Sequence, residues 1–185
     1  GNLPTYLMEY PMRITALFTL ILLSTNLFAA TGRVFVSNEH ADSVSVIDSA
    51  TNQVIETIPV GKRPRGVGVS PDGKEVYVAI SGDNAIAVID PVTMKVVRSF
   101  ASGDDPEAFA VHTNGNLYIS NEEDAKASVF DPASGALIAE IEVGIEPEGV
   151  ALSPDGKRAI VTSESTNMLH VILIPEHTIE TNILV

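Results

Sequence analysis

The chain has 185 residues, 45% of them apolar, which is enough for one domain with a substantial buried core. A net charge of −13 and a pI near 4.5 argue against binding to nucleic acid or anionic lipid, which needs clustered Lys and Arg, and favour cations or basic partners. With no cysteine, disulfides, thiolate metal sites and thioether-linked haem are excluded; there is no tryptophan either.

Residues 1–11 carry no fold signal and read as a non-structural leader. From Met12, the stretch MRITALFTLILLSTNLFAA sets Arg13 ahead of an apolar run from Ile14 to Leu23, with small residues at Ala29 and Ala30. This predicts a signal peptide over 12–29 and a periplasmic or secreted destination. Because only one basic residue precedes the run and Leu27 occupies the −3 position, an uncleaved N-terminal anchor stays open as the alternative.

From Gly32 onward the chain repeats itself. The strand-like run VFVSN (34–38) is followed by a polar loop and by SVSVID, ending at Asp48; the turn SATN and the run VIETIPV complete a first, partial unit over 32–60. The next unit, 61–102, opens on GKRP and enters the turn Ser70-Pro71-Asp72-Gly73, whose glycine suits the positive φ of a tight hairpin. It continues through VYVAI, a loop, AIAVID ending at Asp90, and VVRSFAS. Units 103–143 and 144–185 follow the same order.

Asp48, Asp90 and Asp131 recur at intervals of 42 and 41 residues, as do Gly61, Gly103 and Gly144. Each Asp can close an Asx-turn over the residues after it. Four short antiparallel strands at a 40-odd-residue period predict an all-β fold of propeller blades: three strands of blade 1 and then blades 2, 3 and 4, about 3.75 in all. A β-sandwich is the competing reading, but its strands have no reason to hold this register.

The unit, with its Val-Ile-Asp strand end and its Gly-x-x-Pro-x-Gly-x-x-x-Ser-Pro-Asp-Gly passage, resembles the YVTN-type β-propeller repeat family. More closely, the stretches GRVFVSNE, GKRPRGVGVSPDGK, EVGIEPEGVALSPDGK and TSESTNMLHVI are similar to PQQ-dependent catabolism-associated β-propeller proteins, over residues 32–185. Such proteins close a ring of about seven blades, so the resemblance implies the N-terminal half of a propeller and an open partial ring; a closed four-bladed ring is the alternative. The fourth unit departs from the pattern, with Leu173 where Asp should end its third strand.

The resemblance further implies a non-catalytic binding or accessory protein linked to alcohol or aldehyde oxidation, with a quinoprotein dehydrogenase or cytochrome as its partner. PQQ or haem binding by this chain is not expected, since it lacks the Trp and Cys that hold them. The alternative is an enzyme of the propeller-lactonase or lyase type with an acidic site at the channel mouth. Such sites draw on blades around the whole ring, so half a ring speaks against catalysis. Exposed faces of the first and last blades predict self-association or a partner that covers them.

Strand order places the inter-blade loops and the loops between second and third strands on one face. There Glu39, Asp42, Asp83, Asp104, Asp105, Glu107, Glu122, Glu123, Asp124, Glu146, Glu148 and Glu164 stand against Lys62, Arg63, Arg65 and Lys126, a balance of −8 out of −13. The candidate ligand or partner contacts are Arg63, Arg65, Asp104, Asp105, Glu107, Glu146 and Glu148 around the channel mouth, with Asn167 and His170 from the irregular fourth unit. No catalytic set is identified. Glu122, Glu123 and Asp124 form a candidate calcium loop, a charged solvent-exposed loop being the plainer reading. The four histidines fall on no metal-ligand spacing, and His112, in the place of a turn Ser, reads as a surface turn residue.

Overall fold

A computed structural model describes residues 32–185; the 1–11 leader and the 12–29 signal segment lie outside the described residues. Fifteen strands form four antiparallel sheets. Blade 1 consists of β1 (Arg33–Asn38), β2 (Ser43–Asp48) and β3 (Gln53–Pro59). Blade 2 consists of β4 (Pro64–Val69), β5 (Val76–Ile80), β6 (Ala85–Asp90) and β7 (Lys95–Ala101). Blade 3 is β8 (Pro106–Val111), β9 (Leu117–Asn121), β10 (Lys126–Asp131) and β11 (Ala136–Glu142); blade 4 is β12 (Pro147–Leu152), β13 (Arg158–Ser163), β14 (Met168–Leu173) and β15 (Ile179–Leu184). Strands pair in sequence order within each sheet, and among the described residues blade 1 holds three strands where the others hold four.

Strand ends follow from local chemistry. Asp48 Oδ1 accepts the amides of Ala50 and Thr51, Asp90 Oδ1 those of Val92 and Thr93, and Asp131 Oδ1 that of Ala133, so each third strand stops where its Asp turns to bind backbone. Ser70 and Ser153 organise the other hairpin: each hydroxyl donates to the Asp two residues on and accepts the amide five residues on, while Gly73 and Gly156 hold φ of +71° and +68°.

These hydrogen bonds hold the turn carboxyls of Asp48, Asp90, Asp131 and Asp155 below their ordinary value, and that of Asp72 at about 2. A group depressed in the folded state contributes stability above its unfolded value and loses it as pH falls through the folded one. The thermal midpoint should therefore fall on acidification from about pH 4 to about pH 2, and Asp72→Asn should flatten that slope in scanning calorimetry.

Packing uses both faces of each inner sheet. Because side chains alternate along a strand, Val76, Val78 and Ile80 of β5 face Val44, Val46 and Ile58 of blade 1, while Tyr77 and Ala79 face Leu117 and Ile119 of blade 3. Tyr118 turns the other way, onto Ala159, Val161 and Ile172 of blade 4. All five residues of β5 and of β9 are thereby buried. Three apolar layers join the four described blades in sequence; on the outer side of β1, Val34 and Val36 are 48% and 40% exposed, while Phe35 faces the layer shared with blade 2.

Near the axis, β4, β8 and β12 run side by side, and the sequence leaves room for this with small residues at 66, 68, 108, 110, 149 and 151. A Cβ on Gly68 would meet Phe109 Cε2 at 2.6 Å, so a larger residue there displaces the Phe109 ring.

Candidate functional site at the channel mouth

The inter-blade loops turn tightly, placing Arg63, Asp105 and Glu146 at φ of 53°, 49° and 56°. Each loop is fastened to the loops between second and third strands. Asp83 Oδ2 accepts Lys62 N at 2.9 Å and Asp42 Oδ1 accepts Arg63 N at 3.0 Å. Asp124 Oδ2 accepts Asp104 N and Asn84 Oδ1 accepts Asp105 N, both at 3.0 Å. Main-chain bonds run the other way, from Ser81 N to Arg63 O, Glu122 N to Asp105 O and Glu164 N to Glu146 O. The two sets of loops therefore share one rim, and Asp42, Asp83 and Asp124 are occupied there in holding backbone.

Positions 65, 107 and 148 follow the proline that opens each inner strand, and they meet at the mouth of the channel. Arg65 pairs with Glu107 of the next blade through Nη2 and Oε2, and its Nη1 lies 3.2 Å from Glu39 Oε1. Arg63 reaches Glu39 at 3.5 Å and Asp105 at 3.8 Å. The change from Arg65 in blade 2 to Glu107 in blade 3 thus sets opposite charges side by side, whereas Glu107 and Glu148 of blades 3 and 4 are like charges. Glu39, Arg65 and Glu107 line a concavity of about 400 Å³ together with Ser37, Gly66, Ala108 and Glu148. A larger one of about 540 Å³ lies on the opposite face among the turns at Ser70, Asp72, Asp90 and Asp131, whose polar groups already bind backbone or one another.

Glu107 is the distinctive group of this mouth. Its side chain is 3% exposed; Oε2 meets Arg65, and Oε1 has no hydrogen-bond partner. Burial, with Glu122 and Glu148 nearby, pushes its carboxyl up to about 7 against the pull of Arg65. Burial and Glu122 likewise raise Glu148. Burial alone would lower Arg65, but Glu107 and Glu39 outweigh it and hold the guanidinium above its ordinary value. Carboxylate oxygens of Asp105, Glu107 and Glu122 lie within 4.8 Å of one another.

Of the residues singled out from sequence, the structure brings Arg63, Arg65, Asp105, Glu107 and Glu148 to the mouth and adds Glu122. Glu122 stands there apart from its loop neighbours: Asp124 caps Asp104 N, and Glu123 is exposed. Asp104 sits at the rim, accepting from Asn84 Nδ2 at 2.7 Å, and Glu146 accepts from the Ser165 hydroxyl. Asn167 lies in the β13–β14 turn with φ 52°. His170 is buried: Nε2 accepts Gly144 N at 2.9 Å, so Nδ1–H donates to Asn182 Oδ1 at 2.9 Å, and the ring serves as a bolt inside blade 4.

His112 is not a surface turn residue. It is 9% exposed, its Nδ1 accepts Asn114 N, and its Nε2–H therefore donates to Gly156 O of the next blade at 2.9 Å. Sequence reasoning counted Glu39 among the loop acids without assigning it a partner. The signal was present in register, because Ser37-Asn38-Glu39 repeats as Ser120-Asn121-Glu122.

The profile of the YNCE-like beta-propeller family matches residues 15–120. This chain belongs to that family. The YNCE-like chain is also 29% identical over 104 residues to Antigen Lp49 of Leptospira interrogans, covering 49% of this chain and 23% of that protein. It is 46% identical over 48 residues to PE-PGRS family protein PE_PGRS18 of Mycobacterium tuberculosis, covering 26% of this chain and 10% of that protein. Among solved structures, Kuenenia stuttgartiensis hydrazine synthase superposes with a TM-score of 0.78 at 22% identity, covering 83% of this chain and 46% of that one. A functionally unknown protein from Desulfotomaculum acetoxidans superposes with a TM-score of 0.69 at 18% identity, covering 82% of this chain and 54% of that one. At such identities these structures speak for the fold alone. The chain spans less than a quarter of the curated relatives it matches and about half of these structural ones.

Proposed function

We propose that this YNCE-like propeller is a non-catalytic binding or accessory protein of the periplasm or cell exterior, which uses the charged rim of its channel mouth to hold a basic partner. The observation that carries this reading is the meeting of Glu39, Arg65, Glu107 and Glu148 in one concavity, with Arg63 against Glu39 and with Asp105 and Glu122 beside Glu107, which leaves an excess of negative charge. Loops held on a rigid sheet scaffold and free to vary in side chain are where proteins place recognition. The export-like stretch at 12–29 and a relative named as an antigen fit an exposed location.

The sequence resemblance supplies a finer context: association with PQQ-dependent alcohol or aldehyde catabolism, with a quinoprotein dehydrogenase or a cytochrome as the partner. The lactonase or lyase reading has less support, since His170, a candidate ligand contact, has both ring nitrogens engaged inside blade 4.

Capture from a periplasmic extract on the immobilised full chain tests the proposal, run beside an Asp104→Lys/Glu146→Lys variant that reverses rim charge away from the buried cluster. The expected result is a basic partner retained by the native chain and lost at least about tenfold by the variant, as rim electrostatics govern encounter. Identical retention by both would contradict a rim-directed partner.

A further inference from the structure

We propose that the channel mouth holds a divalent, oxygen-preferring cation of the calcium class between Asp105, Glu107 and Glu122. Their three carboxylate oxygens lie within 4.8 Å of one another, inside the roughly 5 Å that opposite oxygens span at the 2.3–2.6 Å bond lengths of calcium. An all-oxygen set without sulfur or imidazole suits hard cations and disfavours zinc or copper.

An acidic cluster on a surface is common, but this one contains a buried oxygen that lacks a partner. Glu107 is 3% exposed, Arg65 takes its Oε2, and its Oε1 receives no donor from the protein; with the Glu122 carboxyl beside it, a proton shared between the two or a bound cation has to meet the buried charge. Asp105 has one oxygen on the Ser81 hydroxyl and the other 3.8 Å from Arg63, whose side chain is 48% exposed and can turn to solvent.

Comparing blade junctions gives a second, independent reason. Between blades 1 and 2, Glu39 faces Arg65, and the pair balances. The equivalent positions between blades 3 and 4 are Glu122 and Glu148, two acids with no cation between them. Around the mouth, the five acids Glu39, Asp105, Glu107, Glu122 and Glu148 outnumber Arg63 and Arg65, the two arginines paired with them. A dication at the blade 3 side supplies the countercharge that Arg65 supplies at the blade 2 side.

The inference goes beyond the rim-binding reading and stands apart from it: cation binding without partner capture would sink only that reading, and capture without cation binding would sink only this one. The test is titration of the chelator-treated full chain with calcium chloride by isothermal titration calorimetry, with the thermal midpoint followed in parallel. The expected result is one saturable site and a calcium-dependent rise in midpoint, because a ligand that binds only the folded state stabilises it. Glu122→Gln should weaken binding at least about tenfold, as removal of one charged ligand does, and should abolish most of the rise. Glu107→Gln should do the same where it folds; should it fail to fold, Glu122→Gln carries the test. Glu123→Gln, next door but outside the cluster, should bind like the native chain. Absence of saturable binding in the native chain, or equal weakening by Glu123→Gln and Glu122→Gln, would overturn the proposal, the latter by showing a diffuse acidic surface.

Discussion

Tyr118→Ala is expected to destabilise the arc by about 3–5 kcal/mol, the range for emptying a large aromatic site in a close-packed core. Tyr118 is the largest side chain with almost no exposure, packed between blades 3 and 4 against Ala159, Val161 and Ile172. Its ring also sets an edge toward His112, 6.1 Å between centroids. Its hydroxyl shares a hydrogen bond with His177 Nε2 at 3.0 Å, in a ring whose pKa burial lowers. Tyr118→Phe should cost only about 1 kcal/mol, since it loses one hydrogen bond and no volume. Urea unfolding of the two variants separates these contributions. Near-equal losses would mean that the blades are joined by the hydroxyl contact and not by the apolar layer.

Arg65→Met is expected to cost about 3 kcal/mol at pH 8, the lower end of what breaking a buried ion pair costs, because Arg65 keeps 27% of its side chain in solvent. The sign of its pH dependence follows from Glu107. Burial raises this carboxyl to about 7, so the folded state binds a proton more readily than the unfolded chain, and the stability this provides is complete below the ordinary glutamate value of 4.5 and lost as pH rises toward 7. Removing Arg65 removes the one strong influence that favours the carboxylate, and Glu107 then holds its proton to higher pH. The gap between variant and native chain should accordingly be small near pH 5 and widen above pH 7 in chemical denaturation. A gap independent of pH would assign the loss to the packing of the arginine stem alone.

Blade architecture was legible because its determinants are local. Asp48, Asp90 and Asp131 end strands by binding amides two and three residues on, and the Ser-Pro-Asp-Gly turns close within six residues, so a repeat of 41–42 residues reports each element directly. The placement of two loop families on one rim followed from strand order. What did not follow was how the rim carboxylates divide their work. Whether Asp42, Asp83 and Asp124 face a partner or cap an amide depends on contacts between loops about 20 residues apart, and by type they look the same as Glu107.

The histidines show the same limit. His112 reaches the next blade through Nε2 at a separation of 44 residues, and His170 binds Gly144 at a separation of 26, so sequence spacing says nothing about them. The acids brought together as Asp105, Glu107 and Glu122 come from an inter-blade loop, an inner strand and the next polar loop. A search for ligands within one loop finds Glu122 with the wrong companions, and only the curvature that brings successive loops to a common axis supplies the right ones.

A double-mutant cycle on Arg65→Met and Glu107→Gln at pH 8, in chelator, tests most directly that residues of successive inner strands share one desolvated mouth. The structure predicts a coupling free energy of about 2 kcal/mol, typical of contacting residues in one charge network. Additivity within about 0.3 kcal/mol would show the two side chains acting independently, and the channel-mouth site would then have no basis.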